Sequence, residues 1–205
     1  VVDFYFQILK LNNKKVASIG TLGVKTHLNN LKVNNTTLDP ISLNKHLQKI
    51  KKYKIENVIL EASSHGLKQN RLDGLNFKTG IFTNLSRDHL DYHKSYKDYF
   101  NSKLLLFKNL LKKNSNIITD INIPQYKIIK NIAKRKKLKI YTVESTKSSL
   151  ELVKHSYKDD KQVFQIKYNN KIYLLSVNLI GKVQIKNILM AMIAAEKSGL
   201  KFDKI

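Results

Sequence analysis

Three stretches of this 205-residue chain group polar side chains in ways that invite chemistry. The first is Glu61-Ala62-Ser63-Ser64-His65-Gly66, directly after the apolar run Val58-Ile59-Leu60. A carboxylate at the exit of a buried strand is well placed to hold Mg²⁺, a hard cation that prefers oxygen ligands. The same acid could equally cap the next helix. The second is Thr83-Asn84-Leu85-Ser86-Arg87-Asp88-His89-Leu90-Asp91-Tyr92-His93. His89 and His93 stand four residues apart, which raises the alternative of a metal-dependent hydrolase. Against it, Leu90 follows His89 where the His-Glu-x-x-His motif needs glutamate, and no third imidazole or thiolate ligand is evident.

The third feature is Lys103. At helical spacing it lies between Tyr99 and Phe107, one turn either side, beside an apolar face that includes Phe100 and Leu104. A lysine in such a place usually snorkels to solvent. A partly desolvated lysine, however, has a depressed pKa and exists in part as the free amine. That amine can capture CO₂, and the resulting carbamate would be an oxygen ligand for a second Mg²⁺. No Gly-x-x-x-x-Gly-Lys-[Ser/Thr] run occurs; Gly181-Lys182 is followed by Val183. The chain therefore carries no phosphate-cradling loop of its own.

The elements that must position these residues follow from short apolar runs alternating with amphipathic stretches. The pattern predicts helices over 1–11, 41–53, 95–112, 124–137 and 184–198, and strands at 16–20, 57–61, 79–83, 117–119 and 139–143. This alternation implies an α/β fold with a mostly parallel, doubly wound sheet, whose ligands gather beyond the carboxyl ends of the strands. Val163–Tyr168 and Lys171–Leu175, joined by Asn169-Asn170, read as a hairpin, so a small antiparallel section is expected near 150–180.

Composition narrows the class. Hydrophobic residues make up 42% of the chain, enough for one well-filled core. The absence of cysteine excludes a disulfide scaffold and any thiolate metal site. No apolar run approaches the roughly 20 residues needed to span a bilayer. The start shows neither a basic leader nor a cleavage site, so a cytoplasmic protein without membrane insertion is expected. The net charge of +23 raises a nucleic-acid-binding module as a further alternative. The lysines are spread along the chain, though, and the one dense run, Lys134-Arg135-Lys136-Lys137, lacks the interleaved aromatics of a nucleic-acid site. The charge still favours attraction of phosphorylated substrates. Val1 enters an apolar pattern with no initiator methionine or capping residue ahead of it, and the chain stops at Ile205 soon after a helix. Both ends are expected to be cut.

Taken in order and spacing, several pieces resemble the central domain of the Mur ligases. They are Thr36-Thr37, Glu61 through Arg71, Phe82 through His93, and Tyr99 through Lys103. The resemblance runs over essentially the whole chain, and the best match is the branch that adds the third amino acid to the peptide stem. It implies an ATP-dependent amide ligase, with UDP-MurNAc-L-Ala-D-Glu and a diamino acid (meso-diaminopimelate or L-lysine) as partners and Mg²⁺ as cofactor. It implies that Glu61 ligates the Mg²⁺ on the ATP phosphates, while His89 and carbamylated Lys103 hold the second. Thr36, Thr37, Ser63, Gln69 and Arg71 would contact the muramoyl-peptide substrate, and Asn187 would reach the adenine. The family's phosphate loop would immediately precede Val1. Its uridine-binding and amino-acid-binding domains would lie outside residues 1–205. Val183-Gln184 stands where the family usually shows Phe-Asn, and Leu38 follows Thr37 where proline or glycine is common.

Overall fold

The computed structural model describes residues 1–86 and 88–205. Its elements run α1 (Val2–Leu11), β1 (Val16–Gly20), β2 (Gly23–Thr26), β3 (Asn30–Leu31), α2 (Pro40–Lys52), β4 (Asn57–Leu60), α3 (Ser64–Lys68) and β5 (Phe77–Phe82). Then follow α4 (Tyr96–Leu105), a π-helical turn (Leu106–Leu110), β6 (Leu111–Asp120), α5 (Tyr126–Lys136), β7 (Lys139–Glu144), β8 (Leu150–Lys158), β9 (Lys161–Tyr168), β10 (Lys171–Val177) and α6 (Lys182–Lys197). The α/β class and the antiparallel section are as expected. The strands divide between two sheets rather than one, ordered β3-β2-β1-β4 and β10-β9-β8-β7-β6-β5 among the described residues. β1 and β4 are parallel, as are β5 through β8. The antiparallel section has three strands, β8 to β10, one more than the hairpin expected there.

Local chemistry sets the helix starts. Asp39 accepts from the amides of Ile41 and Ser42 at the head of α2, with Pro40 in its first turn, a position that needs no amide hydrogen. Ser95 accepts from the amide of Asp98 to open α4. α6 is apolar nearly all round and correspondingly buried, from Ile185 to Ala195. It packs with Tyr5, Phe6 and Leu9 of α1 against the inner side chains of the larger sheet, such as Ile118, Val143 and Ile166. α4, the π turn and α5 cover the other face through Phe100, Phe107 and Ile129. The larger sheet is thus clad on both sides, as doubly wound sheets are.

One sequence expectation needs correction here. The helix predicted to 112 ends with the π turn at Leu110, and residues 111–112 begin β6, which is far longer than the strand expected at 117–119. The dense basic run forms the last turn and cap of α5. Lys134, Arg135 and Lys136 complement the carbonyl end of the helix, and Lys137 closes it in a left-handed conformation at φ 55°. The Lys136 ammonium donates to the carbonyls of Lys108 and Leu111.

Candidate functional site

The carboxyl ends of parallel β1 and β4 emerge side by side, with the Glu61 amide donating to the Ile19 carbonyl at 2.8 Å. Thr21, just beyond β1, donates from its backbone amide and its hydroxyl to Oε2 of Glu61, at 2.9 and 2.6 Å. Its hydroxyl also lies 3.1 Å from that of Thr36. Gly20 makes this possible: a Cβ there would sit 2.6 Å from Cδ of Glu61 and 2.9 Å from Oε1.

The next loop is tied to the same carboxylate segment. The buried hydroxyl of Thr37 donates to the Glu61 carbonyl and accepts from the Ser63 amide, both at 2.8 Å. Ser63 caps α3 by accepting from the Gly66 amide at 3.0 Å. Arg71 donates to the Thr37 carbonyl at 2.7 Å and to Oε1 of Gln69 at 2.8 Å, while the Gln69 amide donates to the Tyr92 hydroxyl at 3.0 Å. Thr37 and Ser63 thus spend hydroxyl bonds on shaping the loop, a role that the sequence reading did not include.

His89 reaches the site from a strained backbone. Its φ is 57°, a left-handed conformation that a non-glycine residue adopts at a cost. Oδ1 of Asp88 accepts the His89 amide at 2.8 Å and helps hold this turn. Its neighbour in the motif, Arg87, lies outside the described residues. Lys103 sits half-buried in α4 with its ammonium 5.2 Å from the centre of the Tyr99 ring. Burial lowers its pKa below the ordinary lysine value, and Asp88 opposes that shift only in part.

The hydrolase reading does not hold. The His93 side chain is wholly buried, bonded through Nε2 to the Ser64 hydroxyl at 2.9 Å, with Nδ1 3.5 Å from Oδ2 of Asp98. Burial, then the nearby Lys68 charge, lowers its pKa. Among the described residues, no group of three or more His, Cys, Asp or Glu side chains could hold a metal ion. His93 is instead the centre of a network. Asp98 also pairs with Lys68, so Ser64, His93, Asp98 and Lys68 bind α3 to α4.

One cavity of about 1250 Å³ collects the expected residues, and Thr36, Thr37, Glu61, Ser63, Arg71, His89, Lys103 and Asn187 all line it. Gln69 stands behind Arg71 and Tyr92, outside that lining. Glu61, His89 and Lys103 suit a hard divalent cation in part: Glu61 presents a carboxylate oxygen, Oε1, free of hydrogen bonds among the described residues. Lys103 offers oxygen only as a carbamate, and its lowered pKa is in the direction that frees the amine for that chemistry.

A smaller cavity of about 220 Å³ adjoins it, lined by Thr83, Asn84, Asp120, Lys186 and Asn187 among others. Asn187 donates to Oε1 of Gln184 at 3.2 Å and borders both cavities. Lys186 ties the ends of β6 and β7 to α6, with 2.8 Å to Asp120 and 2.7 Å to Glu144. Burial works against its charge, yet these two carboxylates outweigh burial and raise its pKa. The sequence reading missed Asp120, Glu144 and Thr21. Each lies at or just beyond a strand's carboxyl end, and that position was the available signal.

The fold and its strand-end cavity define an α/β domain of the kind that binds ligands beyond the carboxyl ends of parallel strands. Residues 1–195 match the Mur ligase middle domain, and the chain belongs to the Mur ligase family. It is similar to the UDP-N-acetylmuramoyl-L-alanyl-D-glutamate–2,6-diaminopimelate ligase of Rickettsia conorii, at 35% identity over the whole chain and 43% of that relative. A solved structure of a ligase with the same name superposes with a TM-score of 0.89 at 26% identity, over 99% of this chain and 42% of the other. The MurF ligase of Thermotoga maritima in complex with ADP shares the fold alone, at 13% identity and TM-score 0.71, over 99% and 44% of the two chains. The chain thus spans about two-fifths of the relatives it matches. No helix among the described residues is long and apolar enough to cross a membrane.

Proposed function

We propose that this chain is the central, ATP-binding domain of a cytoplasmic amide ligase of peptidoglycan synthesis. The enzyme adds a diamino acid to UDP-MurNAc-L-Ala-D-Glu, and 2,6-diaminopimelate is the amino acid in the relatives' names. The carrying observation is the convergence of Glu61, His89 and Lys103 with Thr36, Ser63 and Arg71 on one cavity at the strand ends.

The D-glutamate carboxylate attacks the γ-phosphate of ATP, ADP leaves, and an acyl phosphate forms. The incoming amine then attacks the acyl carbon and expels phosphate. Bringing two anions together is the main barrier; one Mg²⁺ held by Glu61 and a second held by His89 and carbamylated Lys103 would supply the charge that offsets their repulsion. Arg71, anchored by Thr37 and Gln69, presents a fixed guanidinium for charge-assisted bonds to the anionic dipeptide. Thr36 and Ser63 line the same cavity and would contact this substrate, and Asn187, which borders both cavities, would take the adenine.

Residues at the ends of both sheets line the larger cavity. Among the described residues β4 pairs with β1 and β5 with β6, and residues 56–64 and 76–84, in and around these two strands, line the cavity.

The test is product formation by the full-length protein. With ATP, Mg²⁺, UDP-MurNAc-L-Ala-D-Glu and 2,6-diaminopimelate, mass spectrometry is expected to show the nucleotide substrate heavier by one diaminopimelate residue. ATP turnover indifferent to the muramoyl dipeptide would contradict the proposal.

A further inference from the structure

Thr21 belongs to none of the motifs read from the sequence, yet it touches two of the site's principal residues. Both of its donors, the amide and the hydroxyl, end on Oε2 of Glu61. A hydroxyl has one proton. At 2.6 Å from a carboxylate that proton is given to Glu61, so toward Thr36, 3.1 Å away, the Thr21 oxygen can only accept. The bonds therefore run in one direction, from the Thr36 hydroxyl to Thr21 and on to Glu61. Gly20 leaves this carboxylate its room, since a Cβ there would lie 2.6 Å from Cδ of Glu61 and 2.9 Å from Oε1.

We infer that Thr21 is a positioning residue that fixes the Glu61 carboxylate for a divalent cation and links that carboxylate to Thr36. The inference rests on the reading of Glu61 as a metal ligand. A glutamate on a strand end has three rotatable bonds and would otherwise spread its carboxylate over several rotamers. Two bonds to one oxygen hold Oε2 and leave Oε1 as the free donor. Outer-shell partners of this kind change metal affinity about 10- to 100-fold when lost. The link to Thr36 gives the loop that would hold the substrate a direct connection to the metal's carboxylate.

The experiment uses the full-length protein with Mn²⁺ as probe in the presence of ADP, and free Mn²⁺ is read by electron paramagnetic resonance. Thr21→Val keeps the shape and the backbone amide but removes the hydroxyl, and it is expected to weaken Mn²⁺ binding about tenfold. Thr21→Ser, which restores the hydroxyl, is expected to bind Mn²⁺ within about twofold of the wild type, because the hydroxyl's bond to Glu61 returns. Unchanged binding in Thr21→Val while Glu61→Gln loses the ion would overturn the inference and leave the metal reading intact. Unchanged binding in Glu61→Gln would remove the metal reading, and the inference with it. Equal weakening in the valine and serine variants would also overturn it, since that assigns the effect to packing rather than to the hydroxyl.

Discussion

Glu61, His89 and Lys103 reach one cavity by three different physical means. Glu61 is aimed by hydrogen bonds from Thr21, His89 by a left-handed backbone held by Asp88, and Lys103 by burial that favours its neutral amine. Each means gives a test at the scale of one residue. Gly20→Ala would push its methyl into the Glu61 carboxylate, and ligation by the full-length enzyme is expected to fall about 10- to 100-fold in kcat/KM. Lys103→Ala is expected to nearly abolish ligation, with partial rescue by added short carboxylates; a fully active Lys103→Arg enzyme would remove the carbamate. With ¹³C-bicarbonate, wild-type protein is expected to show a carbamate carbon signal that Lys103→Ala lacks. Because the pKa is lowered, this signal should persist to lower pH than that of an exposed lysine. Glu61 and Lys103 were legible because each pairs an ionisable side chain with apolar neighbours in sequence. Thr21 was not, because its partners lie 15 and 40 residues away, beyond any local pattern.

At the scale of elements, the Ser64–His93–Asp98–Lys68 network explains how a five-residue helix, α3, holds its place beside α4. His93→Ala would leave the Ser64 hydroxyl buried without its partner and open a gap beside Tyr99. A loss of roughly 1–3 kcal/mol is expected in urea unfolding, which measures this cost directly. Most helices were legible within a residue or two, because their apolar faces repeat at helical spacing and Asp39 and Ser95 mark two starts. β6 was largely missed, since Lys112 to Asn116 are polar and nothing in their own pattern says strand. Pairing with β5 and β7 takes hold from Asn116, while Lys112 to Ser115 lie in the register shift between the Leu111 and Asn116 pairings. β2, β3 and β8 were missed for the same reason: their pairing, not their composition, makes them strands.

For the whole molecule, the α/β class was readable from the alternation of elements, whereas the division into two sheets was not, because it depends on which edges meet. Residues at the ends of β4 and β5, one strand from each sheet, line the cavity together with residues as distant in sequence as Thr36 and Asn187. Stability should carry a histidine signature. Burial lowers the pKa of both His65 and His93, the former helped by His89 and the latter by Lys68. Below about pH 6.5 the unfolded chain takes up protons that the folded state refuses, so stability falls as pH drops through that window. Thermal unfolding between about pH 7.5 and 5.5 is expected to show this fall, with a shallower slope in His93→Gln, because that side chain no longer titrates.

The proposed ligation of a carboxylate to an amine by way of an acyl phosphate in the full-length enzyme is tested most directly by isotope transfer. The full-length enzyme would be given UDP-MurNAc-L-Ala-D-Glu with ¹⁸O in the D-glutamate side-chain carboxylate, together with ATP and 2,6-diaminopimelate. One labelled oxygen is expected in each phosphate released, because the carboxylate oxygen that attacks phosphorus leaves with it. Product formed with unlabelled phosphate would contradict the account.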